Sequence, residues 1–205
     1  MKSLFISTST KELLVAIVID NDIKYLYSNE INADMSSTIM PVIDDAFNKT
    51  QINVKDIDTI FVTNGPGSFT GIRIGLTIVK VIAWSLNIKV IPISSLELMA
   101  SGFDKMVLPI IDARRGYVFS GLYDENLNVI LKDQYIEFDK LIADLNKKGI
   151  NNYEIVSNDF DYTKPKYNIA KVIEKHKNDL PCNPHKLNPN YLKKTEAEEK
   201  LNESR

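Results

Sequence analysis

The order of predicted strands and helices occurs twice along the 205-residue chain, and this repeat limits the folds that are open to it. In the first half, apolar runs of strand length alternate with segments of helical spacing. The predicted elements of this half lie at residues 3–7, 13–20, 23–28, 37–50, 59–64, 70–86 and 89–94. The polar pair Asn21-Asp22 is expected to form the hairpin turn between the second strand and the third.

The second half repeats this order, although its side chains do not match those of the first half. Its predicted elements lie at residues 107–113, 117–124, 129–138, 138–149, 153–158 and 167–178. Arg114-Arg115-Gly116 is expected to form a tight turn, and Gly149 to cap the helix that precedes it. Three meandering strands followed by helix, strand and helix, in duplicate, are the layout of actin-like ATPases, in which nucleotide lies between the lobes. The sequence therefore predicts an α/β protein of the actin-like ATPase (ribonuclease H-like) fold with duplicated βββαβα lobes.

The predicted boundaries follow from this repeat. Residues 1–103 are assigned to the N-terminal lobe and residues 104–192 to the C-terminal lobe. Residues 193–205 mix both charge signs and contain few apolar side chains, so a frayed or disordered tail is expected there.

The charge balance and the cysteine content restrict the partners. Lys and Arg number 25 against 27 Asp and Glu, and proteins that hold nucleic acid unaided usually carry a basic excess. Contact with RNA is therefore expected to be indirect, through another subunit. Cys182 is the only cysteine, which excludes an internal disulfide and a cysteine-cluster metal site. With no secretory signal and no run of roughly 18 uninterrupted apolar residues, a soluble cytoplasmic protein without membrane contact is predicted.

The stretch TNGPGSFTGIRIG at residues 63–75 raises the question of whether its glycines grip a phosphate group. It lies between a strand and a helix, where phosphate loops occur. Its spacing nevertheless matches neither a Walker loop, nor a dinucleotide fingerprint, nor a nucleophile elbow. Local chemistry favours a strand-to-helix turn with Ser68 or Thr70 as the N-cap. The residues of this motif are Gly65, Pro66, Gly67, Ser68, Thr70 and Arg73.

The helix predicted at 70–86 has almost no polar side. Only Arg73 and Lys80 are charged within it, whereas a helix that covers one side of a sheet usually keeps a polar stripe. Gly71 and Gly75 lie four residues apart and would let another backbone approach closely. A central helix covered wholly by its own chain remains the alternative, but a surface for a partner is favoured.

Four stretches together resemble the TsaB (YeaZ) family. GPGSFTGIRIGLTIVKVIA fits the family run Gly-Pro-Gly-Ser-Phe-Thr-Gly-x-Arg-x-Gly, and three stretches follow the expected order, LFISTSTKELLVAIV, IDARRGYVFSGLYD and PNYLKK. The resemblance implies an actin-like fold and a role in making threonylcarbamoyladenosine in tRNA. In that family, TsaB is a non-catalytic subunit that pairs with its catalytic paralogue TsaD, and the small ATPase TsaE binds the pair.

The resemblance also implies a dimer contact through the helices at 37–50 and 70–86. A partner that is a second copy of the chain stays open beside TsaD. A charge introduced at Gly75 would be expected to disrupt either contact while leaving the fold mostly intact. The residues predicted at this interface are Ile39, Met40, Ile43, Phe47, Gly71, Ile72, Gly75, Ile78, Val79 and Ile82.

The candidates for catalysis and cofactor binding are few. His176 and His185 are separated by prolines, so they cannot share a helical face, and each is interpreted as a surface histidine rather than a metal ligand. Ser7 stands where TsaB proteins commonly have Asp, which weakens the case for ATP hydrolysis.

Three hydroxyls could still donate to phosphate, although turn capping is the favoured role: Thr8, Ser9 and Thr10. The resemblance allows for ATP or ADP with Mg²⁺ at the partner interface, and the sequence assigns no catalytic residue. The alternative function is an independent actin-like ATPase or a metallopeptidase-like enzyme.

Overall fold

The computed structural model describes residues 1–31 and 34–193, and the predicted tail from residue 194 lies outside the described residues. The first half of the chain contains β1 (Lys2–Ser7), β2 (Glu12–Ile19), β3 (Asp22–Glu30), α1 (Met35–Thr50), β4 (Thr59–Gly65), α2 (Phe69–Leu86), β5 (Lys89–Ser94) and α3 (Ser95–Ala100). The second half contains β6 (Val107–Asp112), β7 (Tyr117–Tyr123), β8 (Val129–Glu137), α4 (Phe138–Lys147), β9 (Glu154–Val156) and α5 (Ile169–His176).

The two sheets have the same strand order at their centres. The first sheet is ordered β3-β2-β1-β4-β5 and the second β8-β7-β6-β9. In each sheet the first three strands form an antiparallel meander, and the strand after the first long helix pairs in parallel with the first strand. Among the described strands, β5 has no counterpart in the second sheet. This topology confirms the predicted α/β class and the duplicated lobes of the actin-like fold.

The strands β1, β2 and β4 of the first sheet are buried on both faces, which explains why β2 reads as a continuous apolar run rather than an alternating one. Side chains of a strand point alternately to the two faces. Leu4 and Ile6 of β1 therefore pack in one hydrophobic core with α1 and α2, whereas Phe5 packs in a second core with the other lobe. The helices α1 and α2 thus lie side by side on the outer face of this sheet.

Both outer helices have clear sequence-encoded ends. Helix α1 follows Asp34, whose carboxylate accepts a hydrogen bond from the Ser36 amide at 3.0 Å. It ends at Gln51, which has a left-handed backbone, as does Asn87 after α2. These caps give the two helices defined lengths on the sheet.

Two turns differ little from the predictions. The hairpin between β2 and β3 turns at Asp20-Asn21 and not at the predicted pair Asn21-Asp22, because Ile19 pairs with Asp22 across the ladder. Asp20 and Asn21 both have positive φ, which is typical of the type I′ turn that suits the twist of a hairpin. Gly149, with a φ of 72°, follows α4 as the predicted cap.

The short helix α3 was missing from the sequence prediction and lies between the two sheets. All six of its residues are buried, and the Ser94 hydroxyl caps it by accepting from the amides of Leu96 and Glu97. A helix this short, buried on every side, has no amphipathic period that a sequence pattern could reveal. The core around α3 is shared by the two lobes and includes Phe5, Phe61, Ile93, Leu96, Met99, Val107, Tyr123, Val156 and Val172.

One charged side chain of α3 is buried at this junction, where it is paired with the second lobe. The Glu97 carboxylate accepts a hydrogen bond from Lys175 Nζ at 2.6 Å and lies 2.9 Å from His176 Nε2, both from α5. His176 Nδ1 lies 2.6 Å from the Asp179 carboxylate. His176 is therefore not the surface histidine that was predicted, since it bridges two carboxylates at the lobe junction.

The pairing shifts the pKa of Glu97 and the pKa of His176. Burial by itself raises the pKa of Glu97, but the hydrogen bonds from His176 and Lys175 outweigh it and lower the pKa. Burial by itself lowers the pKa of His176, but the carboxylates of Glu97 and Asp179 outweigh it and raise the pKa. The charged forms of both groups are thus favoured in the folded protein.

We predict that replacing His176 by Gln flattens the pH dependence of stability above pH 6. Because the pKa of His176 is raised on folding, its contribution is fully present below its unfolded pKa of about 6.5 and is lost as pH rises through the folded pKa. His176→Gln keeps a donor but removes this titration. The free energy of unfolding, measured in urea between pH 5.5 and 9, should fall with pH less steeply in the variant than in the parent.

The matched control is His185→Gln, since His185 is exposed and touches neither Glu97 nor Asp179. This variant should retain the pH profile of the parent. Identical profiles for the parent and His176→Gln would show that the junction does not hold a protonated imidazole.

Candidate functional site

The glycines of the 63–75 stretch pack against the chain itself. A Cβ added at Gly67 or Gly71 would lie closer than 3.0 Å to the carbonyl oxygen of Ser9 or Thr8 respectively. A Cβ added at Gly75 would lie equally close to the Thr8 hydroxyl. The glycines therefore let the first two turns of α2 touch the turn between β1 and β2. This contact, and not a phosphate group, occupies the space that the missing side chains leave.

Hydrogen bonds join the same two segments. The Ser68 amide donates to the Ser9 carbonyl at 2.7 Å, and the Thr8 hydroxyl donates to the Gly71 carbonyl at 2.8 Å. The Ser68 hydroxyl accepts from the Gly71 amide at 3.2 Å, so Ser68 is the N-cap that the sequence offered beside Thr70. Thr70 itself is exposed.

These contacts show where the three candidate phosphate-binding hydroxyls lie. Thr8 is fully buried, and its hydroxyl donates a hydrogen bond to the Gly71 carbonyl of α2. The Thr10 hydroxyl accepts from the Glu12 amide at 3.2 Å, which is the turn-capping role that was favoured. The Ser9 hydroxyl lies 3.3 Å from that of Ser7, deep in the turn. Of the three residues, Ser9 and Thr10 line the cleft between the lobes.

Ser7, at the end of β1, is also engaged within the protein. It is buried, and its hydroxyl accepts a hydrogen bond from Thr63 at 2.9 Å. Thr63 lies on β4, the parallel neighbour of β1. The hydroxyl that replaces the expected carboxylate thus ties two strands of the first sheet together.

The cleft between the lobes has a volume of about 500 Å³ and carries charges of both signs. Lys11 and Arg114 line it together with Asp112 and Asp159. The Asp112 carboxylate accepts from the Arg114 amide at 2.8 Å, and the Asp159 carboxylate accepts from the Asp112 amide at 3.0 Å. Within residues 1–31 and 34–193, no group of three or more His, Cys, Asp or Glu side chains is arranged to hold a metal ion.

The turn predicted at residues 114–116 shapes the rim of this cleft. Arg114, Arg115 and Gly116 all have positive φ, at 67°, 56° and 80°. Such a backbone is uncommon for arginine. It is held by hydrogen bonds between Ala113 and Tyr117 and from the Tyr117 amide to the Arg114 carbonyl.

The outer face of α2 is apolar and exposed. Val81 is 59% exposed and Trp84 is 66% exposed, values that are high for large apolar side chains. Between α1 and α2 runs a groove of about 540 Å³, here called the α1–α2 groove. It is lined by Met40, Ile43, Asp44, Phe47, Ile52, Asn53, Val54, Val81, Ile82, Ser85 and Leu86. A contiguous apolar surface of this kind is typical of a site where another molecule binds.

Six of the ten residues predicted at a partner interface are buried within the chain, which corrects that part of the prediction. These six are Ile39, Ile43, Gly71, Ile72, Gly75 and Val79. They pack against the first sheet or against Thr8, and of the six only Ile43 also lines the α1–α2 groove. A charge at Gly75 would consequently displace α2 from Thr8 and damage the fold, not a dimer seam.

The other four predicted residues lie where a partner can reach them. Met40 is exposed, and Phe47, Ile78 and Ile82 are half-buried. The sequence analysis missed Val81 and Trp84, which are the most exposed apolar side chains of α2. No sequence signal singles them out, because a helix that is apolar on every side does not show which of its stripes faces outward.

Arg73 of the motif is exposed and lies on the side of α2 away from α1. Its guanidinium group lies 3.8 Å from the centroid of the Phe69 ring, and its Nε donates to the Tyr191 hydroxyl at 2.9 Å. The rings of Phe69 and Tyr191 stack at 5.0 Å. Arg73 therefore joins α2 to the segment that follows the second lobe.

Helix α2 also meets the length and composition expected of a membrane span, with 18 residues of mean hydropathy 1.5. The sequence analysis found no such candidate because Arg73 and Lys80 interrupt the apolar run. Core helices of globular proteins satisfy the same criterion. Here the buried side of α2 packs on the first sheet, which accounts for part of its apolar composition.

Comparisons with known proteins agree on one group of relatives. The family model described as TsaD, tRNA N6-adenosine threonylcarbamoyltransferase, matches residues 29–197. A Bacillus subtilis (strain 168) protein described as tRNA threonylcarbamoyladenosine biosynthesis protein TsaB is 37% identical over 142 residues, which cover 66% of this chain and 62% of that protein. The Escherichia coli (strain K12) protein of the same description is 31% identical over 63% of this chain and 58% of its own length. These matches thus span less than two thirds of either relative.

A solved structure has the same fold. A Pseudomonas aeruginosa protein, described as uncharacterized with similarity to peptidase YEAZ, superposes with a TM-score of 0.80. The match covers 94% of this chain and 99% of that one. At 18% identity, the likeness concerns the fold alone.

We predict that Gly75→Ala destabilises the protein, although Ala is ordinarily the better residue in a helix by roughly 0.5–1 kcal/mol. The new Cβ would overlap the Thr8 hydroxyl, and such overpacking typically costs about 1–3 kcal/mol. Thr8→Ala removes the overlapping atom. In urea unfolding, the double variant should lose less stability than the sum of the two single changes, by at least about 0.5 kcal/mol.

A stabilising effect of Gly75→Ala would contradict the contact, because it would mean that only helix propensity changes at this position. Strict additivity of the two changes would do the same, since it would show that Thr8 and Gly75 do not touch.

Proposed function

Because the chain belongs to the family described as TsaD, tRNA N6-adenosine threonylcarbamoyltransferase, and within it to the TsaB (YeaZ) proteins, we propose that it is a non-catalytic subunit required for threonylcarbamoyladenosine modification of tRNA. It acts in the cytoplasm as a dimerising scaffold for the catalytic paralogue TsaD. The observation that carries the proposal is the α1–α2 groove, whose apolar lining has no cover in the described part of the chain.

The groove suits a protein partner in size and composition. Burying an exposed Val or Met side chain typically contributes roughly 1.5–3 kcal/mol. Trp84 adds a large aromatic side chain, the type that most often dominates binding energy at interfaces. Met40 and Val81 lie at the two sides of the groove, so a helix laid between them would cover both. In this proposal the TsaE-type ATPase joins the assembled pair, and tRNA contacts the partner.

The glycine turn supports a scaffolding role. Its glycines pack against Thr8 and Ser9, and its Ser68 amide donates to the Ser9 carbonyl, so the turn positions α2. This contact fixes the position of α2, whose outer face forms one side of the α1–α2 groove. The chemistry of threonylcarbamoyl transfer is accordingly assigned to the partner.

Val81→Asp should abolish formation of the complex with TsaD and reduce threonylcarbamoyladenosine in tRNA to the level of a strain lacking the protein. The introduced carboxylate would be desolvated in the interface without a partner charge. The side chain is exposed in the isolated protein, so its stability should change by less than about 0.5 kcal/mol. Complex formation is measured by size-exclusion chromatography with light scattering, and the modified nucleoside by mass spectrometry of digested tRNA.

The matched control is Ile130→Asp, which places the same charge at an exposed apolar residue on β8, in the other lobe. This variant should bind TsaD normally and support modification. Normal modification by Val81→Asp would overturn the assignment of the groove. Loss of self-association by Val81→Asp, with TsaD binding intact, would assign the groove to a homodimer instead.

A second candidate function, an independent actin-like ATPase, draws on the cleft with Lys11, Arg114, Asp112 and Asp159. Its test is ATP turnover by the purified chain with Mg²⁺. We expect turnover far below about one per second, an ordinary enzyme rate. Turnover near that rate, abolished by Asp112→Asn, would overturn the non-catalytic proposal.

A further inference from the structure

A segment that follows the second lobe returns to the first lobe. Residues 180–193, here called the C-terminal segment, contact it at several points. The Cys182 amide donates to the Val90 carbonyl of β5 at 2.9 Å, and the Asn190 amide donates to the Asn64 carbonyl of β4 at 2.7 Å. Leu187 is buried in the core beneath α1 and α2. By sequence, residues 180–192 were assigned to the C-terminal lobe and residue 193 to the tail, yet the segment contacts the N-terminal lobe.

The C-terminal segment flanks α2 on the side opposite to α1. At 100° per residue, Arg73, Lys80 and Trp84 lie together on one side of the helix, and Ile78 and Ile82 on the other. His185 packs edge-on against the Trp84 ring at 5.8 Å. Tyr191 stacks on Phe69 at the beginning of the helix. The exposed stripe around Val81 therefore runs between two walls, which are α1 and the C-terminal segment.

The wall formed by the C-terminal segment, together with α2, differs in charge from the wall formed by α1. Helix α2 and residues 180–193 contain no Asp or Glu, although the whole chain has a net charge of -2. Their cations are Arg73, Lys80, Lys186 and Lys193. No described carboxylate forms an ion pair with any of the four. On the other side, Asp44 lines the α1–α2 groove.

Lys80 lies one helical turn before Trp84, on the side of α2 that faces the C-terminal segment. Burial raises the pKa of the Cys182 thiol, and the positive charge of Lys80 acts against this shift. Lys186 is the last residue of the short helical turn Pro184–Lys186, in which His185 packs on Trp84. Lys80 and Lys186 thus flank the most exposed aromatic residue of the helix.

We propose that the C-terminal segment is the second wall of the docking surface and that it receives an acidic, amphipathic helix of the partner. The apolar face of that helix covers Val81 and Trp84, and its carboxylates face Lys80 and Lys186. This inference rests on the proposed function and adds the chemistry of the partner. The apolar stripe between the walls favours a protein over RNA, because phosphates would leave Val81 and Trp84 uncovered.

The test is charge reversal in the full chain, with the TsaD partner chain as the probe. Lys80→Glu combined with Lys186→Glu should raise the dissociation constant about tenfold at 50 mM salt. The ratio of the variant's dissociation constant to the parent's should shrink at 500 mM salt. The matched control reverses two exposed lysines of the other lobe, Lys140→Glu in α4 and Lys148→Glu directly after it, and should bind as the parent does. Should the double variant unfold, Lys186→Glu alone, at an exposed site, should still weaken binding.

The outcomes separate this inference from the proposed function. If Val81→Asp abolishes the complex while the double reversal leaves affinity unchanged, the groove stands and the acidic partner helix is overturned. If neither change affects the complex, both proposals fall. Weaker tRNA binding by the double variant, with unchanged TsaD affinity, would assign the cations to nucleic acid. A reversal effect that disappears in a chain ending at Lys193 would assign them to residues 194–205.

Discussion

Helix α2 lies where it does because Gly71 and Gly75 present no side chains where the helix meets Thr8. The contact brings the first two turns of the helix onto the turn between β1 and β2, and the Thr8 hydroxyl completes it with a hydrogen bond to Gly71. Any Cβ at these glycines would move the helix outward or rotate it. The rotation of α2 in turn decides which of its apolar side chains enter the core and which, like Val81 and Trp84, remain exposed.

The same contact explains why a glycine-rich turn need not be a nucleotide site. Phosphate loops and close helix packing both use glycine, because each requires a backbone to be approached without a side chain in the way. In this chain the approach is made by Ser9 and Thr8. In this chain a fold related to ATPases uses its glycine-rich turn to position a helix, which is consistent with the general separation of fold from function.

A second set of contacts holds the two lobes together. Helix α3 lies between the sheets, and Glu97 reaches Lys175 and His176 of the second lobe. On the same side, Asp133 of β8 accepts hydrogen bonds from Ser94 and Tyr123. A buried charge is tolerated only when it is paired, so the ion pairs of Glu97 favour one arrangement of the lobes. The outer face of α2 and the C-terminal segment are consequently held against a common core.

The sequence by itself determined the repeat of strands and helices, an N-cap at Ser68 or Thr70 and the apolar character of α2, because these depend on neighbouring residues. It did not reveal α3, whose six buried residues have no period. It also misassigned Gly71 and Gly75 to a partner, since their true neighbour, Thr8, is more than sixty residues away. Only the tertiary structure decided which side of α2 faces outward. A helix that is apolar all round carries no preferred orientation, and its rotation is set by contacts between segments distant along the chain.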